Sequence, residues 1–151
     1  MVATSIFDAV LTHFTGGPWT FEAVPEQYTL SFVSNGTCGP WTTYVRVFEA
    51  ERLIAAYGVV PFSIASARRA AAAELVTRIN FGLVFGNFEL DFADGQLRCK
   101  TSLDVEGTEL AAPLLAQIIQ ANLALMGGYL PAFVAVAARD MPATAALALV
   151  E

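Results

Sequence analysis

The sequence is poor in positive charge, and this scarcity limits the partners that the protein can bind. Eight lysines and arginines stand against 14 aspartates and glutamates, so the formal net charge is −6. A surface of that sign repels a phosphate backbone, whose binding depends on basic side chains that release counterions. We therefore expect no nucleic-acid partner. The only adjacent basic pair, Arg68-Arg69, lies in an alanine-rich helical stretch and is interpreted as a solvated helix face.

Cysteine and histidine are also scarce, which removes most metal and nucleophile chemistry. Cys38 and Cys99 match no zinc-ligand or C-x-x-C spacing, so both thiols are expected to be reduced. His13 is the single histidine, and no nucleophile motif or glycine-rich phosphate loop accompanies it. The sequence thus predicts no catalytic residue, no metal site and no cofactor, and a protein that is not an enzyme. One acidic cluster is interpreted as the start of a helix, with calcium as the weaker alternative: Asp104, Glu106 and Glu109.

Two stretches bear on location, one without positive charge and one without any charge. No Lys or Arg precedes Arg46, so the amino terminus lacks the basic segment of a secretory signal, and a cytoplasmic protein is expected. The uncharged stretch from Leu110 to Ala138 exceeds the roughly 20 apolar residues that span a bilayer. Polar and helix-breaking residues interrupt it, namely Gln117, Gln120, Asn122, Gly127, Gly128 and Pro131. No basic cluster flanks the stretch, so we predict core helices and no membrane span.

Apolar residues are what the chain has in abundance. They make up 56% of the 151 residues, while charged residues make up 15%. A chain of this length buries roughly 70% of the surface that its unfolded form exposes, which is enough for one core. With no linker or repeat to divide it, the whole of 1–151 is predicted to be a single domain.

Hydrophobic periodicity predicts the elements. Phe7, Val10, Leu11 and Phe14 have the spacing of an amphipathic helix, and later segments alternate as strands do. The predicted order is a helix near 5–15, strands at 28–34, 41–49 and 52–60 with a turn at 35–36, a helix at 63–79, a hairpin within 83–105, helices near 115–126 and 129–138, and a helical tail at 142–151. An edge strand at 19–24 is left open.

The hairpin gives the sharpest local prediction. Asp94-Gly95 between alternating apolar runs is a strong signal for a two-residue turn. Counting outward from that turn pairs Phe92 with Leu97, Leu90 with Cys99 and Phe88 with Thr101. On the other face it pairs Asp91 with Arg98 and Glu89 with Lys100. The Phe88, Leu90 and Phe92 face is therefore predicted to be core.

This order of elements predicts an α+β domain of two layers, in which helices cover one face of an antiparallel sheet. The predicted order of elements is α-β-β-β-α-β-β-α with a helical tail at the C-terminus.

Several segments resemble the YbjN-type family of bacterial proteins. The resemblance rests on residues 79–82, 86–90, 94–98 and 101–103, together with Val60-Pro61, Arg68-Arg69 and Tyr129-Leu130-Pro131. It spans about Glu26 to Ala138 and leaves residues 141–151 as a tail beyond the family pattern. The family resembles the dimeric chaperones of type III secretion, which implies the same order of elements. It implies no catalytic residues.

The leading functional hypothesis is a non-enzymatic module that binds an unidentified protein, as a chaperone-like or regulatory adaptor. The alternatives are a structural protein that acts by assembly, and a small-molecule binder or enzyme with a pocket between helices and sheet, using Tyr44, Tyr57 or the acidic hairpin. The apolar composition and the family resemblance predict a homodimer. Candidate interface residues are Arg68, Ala70, Ala71, Ala73, Leu147 and Leu149.

Overall fold

A computed structural model describes residues 5–151, in which helices pack on one face of a six-stranded sheet. The elements in chain order are α1 (Ile6–Thr15), β1 (Glu22–Val24), β2 (Thr29–Gly36), β3 (Gly39–Phe48), β4 (Leu53–Val59), α2 (Arg69–Gly82), β5 (Asn87–Leu90), β6 (Leu97–Asp104), α3 (Ala112–Ala138) and α4 (Ala143–Ala148).

The sheet is antiparallel throughout, with the spatial order β1-β2-β3-β4-β6-β5. The α+β prediction and its order of elements are confirmed, and β1 is the short edge strand that the sequence left open. The first turn is placed differently from the prediction. Gly36 pairs with Gly39, so the turn consists of Thr37 and Cys38. Gly36 has another role, because a Cβ there would lie 2.7 Å from the ring of the buried Trp41.

α1 is fixed at its N-terminus by two side chains. Ser5 Oγ accepts a hydrogen bond from the Asp8 N–H at 3.0 Å, which caps the helix. The carboxylate of Glu49, just after β3, accepts from the N–H groups of Ile6 and Phe7 at 3.2 and 2.8 Å. A negative charge at the positive end of the helix dipole therefore holds α1 to the sheet.

α3 joins the two halves of the core. Its N-terminal half packs with α1 and strands β2 to β4, whereas its C-terminal half packs with α2, α4 and β5. The prediction of two helices divided at Gly127-Gly128 and Pro131 was wrong, because α3 is one helix of 27 residues. Burial of Met126, Leu130 and Phe133 on its inner face offsets the backbone hydrogen bond that Pro131 removes.

A small polar cluster sets how closely α3 approaches the sheet. Asn122 is fully buried, and its Nδ2 donates to the Ala56 carbonyl at 2.9 Å and the Cys99 carbonyl at 3.1 Å. Thr101 Oγ1 donates to the Ile118 carbonyl of α3 at 2.7 Å. A Cβ at Gly58 would lie 2.6 Å from Met126 Cγ. Glycine at that position therefore lets the helix descend far enough for Asn122 to reach the strands.

The pair Arg68-Arg69 is structural, which corrects its interpretation as a solvated face. Arg68 donates to the Val136 carbonyl at 2.8 Å and the Met141 carbonyl at 2.7 Å, and it forms an ion pair with Asp140 at 2.9 Å. These contacts cap the C-terminal end of α3, where cations are favoured. Arg69 Nη1 instead donates to a carbonyl in the β5-β6 loop, that of Phe92, at 2.9 Å.

The same loop explains why α2 begins later than predicted. The Ile64 N–H donates to the Gly95 carbonyl at 2.8 Å, and the Ile64 carbonyl accepts from Arg69 Nε at 2.9 Å. These contacts engage the backbone of residue 64 with the loop, so residues 63–65 are not helical. A 3-10 turn spans Ser66–Arg68, and α2 runs over Arg69–Gly82. The predicted span of 63–79 was displaced at both ends.

The register predicted for the hairpin was wrong by two residues. Phe88 pairs with Cys99, Glu89 with Arg98 and Leu90 with Leu97, so the loop spans residues 91–96. Gly95 is buried against Ile64, where a Cβ would lie 2.1 Å from the carbonyl oxygen. These tertiary contacts thus hold residues 91–96 in a longer loop in place of the predicted two-residue turn. A shift of two keeps each side chain on its predicted face, but it moves Phe92 out of the core, where it is 59% exposed.

The C-terminal tail forms α4, which contacts α2 and α3. Ala143 and Ala146 are buried there, and Leu147 and Val150 pack at the edge of the same cluster. The tail therefore covers part of α2 within the same chain.

Two phenylalanines of the hairpin test this register. Phe88 is buried against the rings of Tyr129 and Phe133, so Phe88→Ala should lower the free energy of unfolding by about 3–5 kcal/mol. Phe92→Ala, at an exposed position, should change it by under about 0.5 kcal/mol. Urea denaturation of both variants measures the difference, and equal losses would contradict the register.

Candidate functional site: the open sheet face

The helices cover one face of the sheet and leave the other uncovered. Because side chains alternate along a strand, the residues between the buried positions of each strand point away from the helices. We call this surface the open face. Strand pairing aligns its side chains in rows, and the central row contains Ser31, Tyr44, Tyr57 and Lys100 on β2, β3, β4 and β6.

Two tyrosines occupy the middle of the open face. Tyr44 and Tyr57 are directly paired across β3 and β4, and Tyr44 is 43% exposed. An arginine lies on each side of this pair, Arg46 in the row toward one end of the strands and Arg98 in the row toward the other. The Arg98 guanidinium stacks over the Tyr57 ring, with Cζ 4.3 Å from the ring centroid.

These side chains line a groove with a cavity volume of about 780 Å³. One wall comes from the 3-10 turn Pro25–Gln27 between β1 and β2, and the opposite wall from the residue that precedes β6, Gln96. Tyr28 ends the turn with a left-handed φ of 51°, which redirects the chain into β2. The lining residues are Glu26, Gln27, Tyr28, Thr29, Tyr44, Arg46, Tyr57, Val59, Gln96 and Arg98.

The two arginines differ in how much of their charge is already compensated. Arg98 Nε donates to Glu89 at 3.0 Å, and Lys100 donates to the other oxygen of the same carboxylate at 3.1 Å. Arg46 stacks on Phe48 at 4.7 Å and has no carboxylate within 4.0 Å among residues 5–151. Arg46 therefore presents an uncompensated positive charge beside the tyrosine pair.

The pKa of Glu89 is lowered by its two cationic neighbours. Partial burial by itself would raise its pKa, but the hydrogen bond from Lys100 and the charge of Arg98 outweigh that effect and lower it. Asp91 does not pair with Arg98 as predicted. Its Oδ1 accepts from the Ala93 N–H at 2.8 Å inside the loop, while Asp94 Oδ1 accepts from the Gln96 N–H at 2.8 Å. The acidic residues of the hairpin thus have partners within the fold.

The residues proposed for a small-molecule pocket lie on a different side of the sheet from the one predicted. Tyr44 and Tyr57 come together, but on the open face, not between helices and sheet. Cys99 lies on the helix side, where burial first and the charge of Glu89 second raise the pKa of its thiol to about 12. In this environment Cys99 behaves as a small buried hydrophobe and not as a reactive thiol. Among residues 5–151 no group of three His, Cys, Asp or Glu side chains could hold a metal ion.

The candidate dimer residues are divided between exposed and internal positions. Ala70 and Leu149 are exposed, while Ala71, Ala73 and Leu147 are half-buried. Arg68 is engaged by α3 and Asp140, as described above. Phe81 in the last turn of α2 and Val84 just after that helix are 95% and 103% exposed.

α3 is long and apolar enough to cross a bilayer by length and composition alone. In the structure its inner face packs on β4, β6 and α2, and the buried side chains include Asn122. The inner face of α3 is thus part of the core.

The similarity of this chain to known proteins lies in its fold. No protein-family model and no curated protein sequence matches the chain. The fold resembles that of YbjN. The crystal structure of YbjN from E. coli, a candidate transcription regulator, is similar at a TM-score of 0.59 and 15% identity, over 77% of this chain and 82% of that chain. A structure of the HopA1-SchA chaperone-effector complex is similar at a TM-score of 0.46 and 19% identity, over 81% of this chain and 85% of that chain.

At 15% identity the similarity to YbjN concerns the fold. The resemblance predicted from the sequence is confirmed at that level. Sequence reasoning did not identify the groove itself, although the alternation of Thr42, Tyr44 and Arg46 with buried residues in β3 contains the signal for it.

The lowered pKa of Glu89 predicts a pH-dependent contribution to stability. A carboxylate with a lowered pKa in the folded state stabilises it above its ordinary pKa, and that contribution is lost as the pH falls through the lowered value. Since the side chain is about one-third exposed, at 32%, Glu89→Gln should cost under about 1 kcal/mol at neutral pH.

Urea denaturation at pH 7 and at about pH 3 checks this prediction. The difference between Glu89→Gln and the parent should shrink as the pH falls, because protonation removes the charge of Glu89 whereas glutamine is neutral at both pH values. Asp91→Asn, which lacks an ion pair, serves as the control. A difference for Glu89→Gln that is equal at both pH values would contradict the account.

Proposed function

We propose that the protein is a non-enzymatic module that binds another polypeptide on its open face. The observation that supports this proposal is the groove around Tyr44 and Tyr57, an aromatic surface that helices leave uncovered. Tyrosine and arginine are the side chains enriched at the energetic centres of protein interfaces. Here both types occur side by side on a rigid sheet.

The shape of the groove favours an extended segment. It extends across β2, β3, β4 and β6 and is open to solvent, whereas small-molecule sites enclose most of their ligand. Its cavity volume falls within the range of ligand pockets, so a small-molecule binder remains the alternative. A thermal-shift screen with a metabolite library separates the two, because a ligand at 100 times its dissociation constant adds about 2.7 kcal/mol to native stability.

The edges of the sheet are poor sites for a partner strand. Phe88 on the edge strand β5 uses both of its backbone groups, since its N–H donates to Asn80 Oδ1 at 2.8 Å and its carbonyl accepts from Asn80 Nδ2 at 3.0 Å. The other edge strand, β1, has three residues and is followed by Pro25. Short or covered edges resist strand addition. The faces of the sheet are therefore better placed for recognition than its edges.

The finer proposal is a regulatory or chaperone-like adaptor that acts in the cytoplasm. Support comes from the fold shared with YbjN, described as a candidate transcription regulator, and from the acidic composition. The unpaired cysteines, Cys38 and Cys99, fit a reducing compartment.

Site-specific photo-cross-linking tests the binding face. A photoreactive amino acid at Val33, which is exposed on the open face, should capture a polypeptide from native extract, and Tyr44→Ala with Tyr57→Ala should abolish that capture. The same probe at Gln117, on the outer side of α3, should capture nothing that depends on the tyrosines. Capture that persists without the tyrosines would contradict the proposal.

We also propose that the protein is a homodimer. Three large apolar side chains are exposed within five residues at and just after the end of α2, namely Phe81, Val84 and Phe85, and apolar surface of this kind is rarely left uncovered on a soluble monomer. A twofold contact between copies would cover it with one self-complementary patch. Because Ala71 and Leu147 are half-buried within one chain, the exposed residues are the better positions for a test.

Light scattering coupled to size exclusion tests the dimer. The parent should have twice the 16.1 kDa mass of one chain, and Phe81→Ser with Val84→Ser should reduce it to a single chain without loss of folding. Val33→Ser, at an exposed position on the open face, is the matched control and should remain dimeric. A parent mass near 16.1 kDa at micromolar concentration would contradict the dimer.

A further inference from the structure

The charge of the groove is opposite to that of the whole protein. The chain has a formal net charge of −6, yet the charged lining residues of the groove are Arg46 and Arg98 against one carboxylate, that of Glu26. Glu89 is paired directly with Arg98 across β5 and β6, and it compensates part of that charge from outside the lining. An anionic partner would thus be repelled by most of the surface and attracted here.

Arg46 is the stronger of the two anchors. Its guanidinium rests on Phe48, and no carboxylate within residues 5–151 compensates its charge at 4.0 Å or less. A planar guanidinium presents two parallel N–H groups that match a carboxylate. Stacking on a ring restricts the orientation of the fork, which reduces the entropy lost when a ligand binds.

The strand register gives the spacing between the anchors. Arg46 lies two residues along β3 from Tyr44, and Arg98 lies in the row two residues to the other side of the tyrosine pair. With about 3.3 Å per residue and about 4.8 Å per strand, the two Cα atoms are on the order of 16 Å apart. In an extended peptide, residues i and i+4 are about 13 Å apart and point to the same side. The flexible arginine side chains can span the difference.

We propose that the open face binds an extended polypeptide segment that carries two carboxylates four positions apart, with an apolar side chain midway between them. The carboxylates bind Arg46 and Arg98, and the apolar side chain packs on Tyr44 and Tyr57. This inference rests on the proposed polypeptide-binding function and specifies the chemistry of its partner.

Fluorescence anisotropy with labelled synthetic peptides tests it. The probe is the peptide GSEVFVEGS, which has the proposed spacing. Its controls are GSEEFVVGS, which has the same composition with adjacent glutamates, GSKVFVKGS, in which lysines replace the glutamates, and an eight-nucleotide oligouridylate. The parent should bind the probe more tightly than every control, and added salt should weaken the binding.

Variants of the protein complete the test. Arg46→Gln should weaken binding of the probe by about tenfold, as expected when a charged hydrogen-bonded pair is lost. Arg78→Gln is the matched control, because that arginine is ion-paired to Glu74 on α2, and it should bind as the parent does. Unchanged affinity in Arg46→Gln, or equal binding of the rearranged or lysine peptide, would overturn the inference.

The outcomes also separate this inference from the function on which it rests. If the lysine peptide binds as well as the probe and Tyr44→Ala abolishes both, the face binds polypeptides and the proposed charge preference is wrong. If no peptide binds while Val33 cross-links a polypeptide through the tyrosines, the proposed spacing and charge are wrong and the function stands. Binding of the oligouridylate alone would overturn both.

Discussion

The contact between α3 and the middle of the sheet is the constraint on which the rest of the structure depends. Gly58 lets the helix approach, and Asn122 then donates to carbonyls of both β4 and β6. A buried amide without those partners would cost free energy comparable to a lost hydrogen bond, so the helix is held at this height. One long helix fixed across the sheet commits one face to the core. The opposite face is left for recognition.

Hydrogen bonds at the ends of helices and strands then determine which surfaces of the protein remain accessible. Arg68 closes the C-terminal end of α3, Arg69 and Ile64 hold the β5-β6 loop, and Asn80 occupies the backbone groups of Phe88 on the edge strand. Each contact satisfies groups that a partner strand or helix could otherwise use. The open face and the apolar end of α2 are what this arrangement leaves exposed, and they are the two surfaces for which we propose partners.

The sequence predicted the layers of this fold better than its connections. Alternation assigned Phe88, Leu97 and Cys99 to the helix side, and the two-residue error in register preserved those faces because side chains repeat every second position. The loop itself depends on Ile64, which is distant in sequence and leaves no local signal. Pro131 and the glycine pair have strong local signals, but burial along α3 outweighs them. The groove was not predicted either, because its side chains come together only where strands β3, β4 and β6 are neighbours.

The division of the sheet into a covered and an open face is the central claim, and cysteine labelling tests it most directly. In a background of Cys38→Ser, the adjacent β3 residues Thr42 and Thr43 would be changed to cysteine one at a time. Thr42 lines the open face, whereas Thr43 is fully buried beneath the helices. A maleimide should label the cysteine at 42 rapidly and the cysteine at 43 only as fast as the protein unfolds. Equal rates at the two positions would contradict the account.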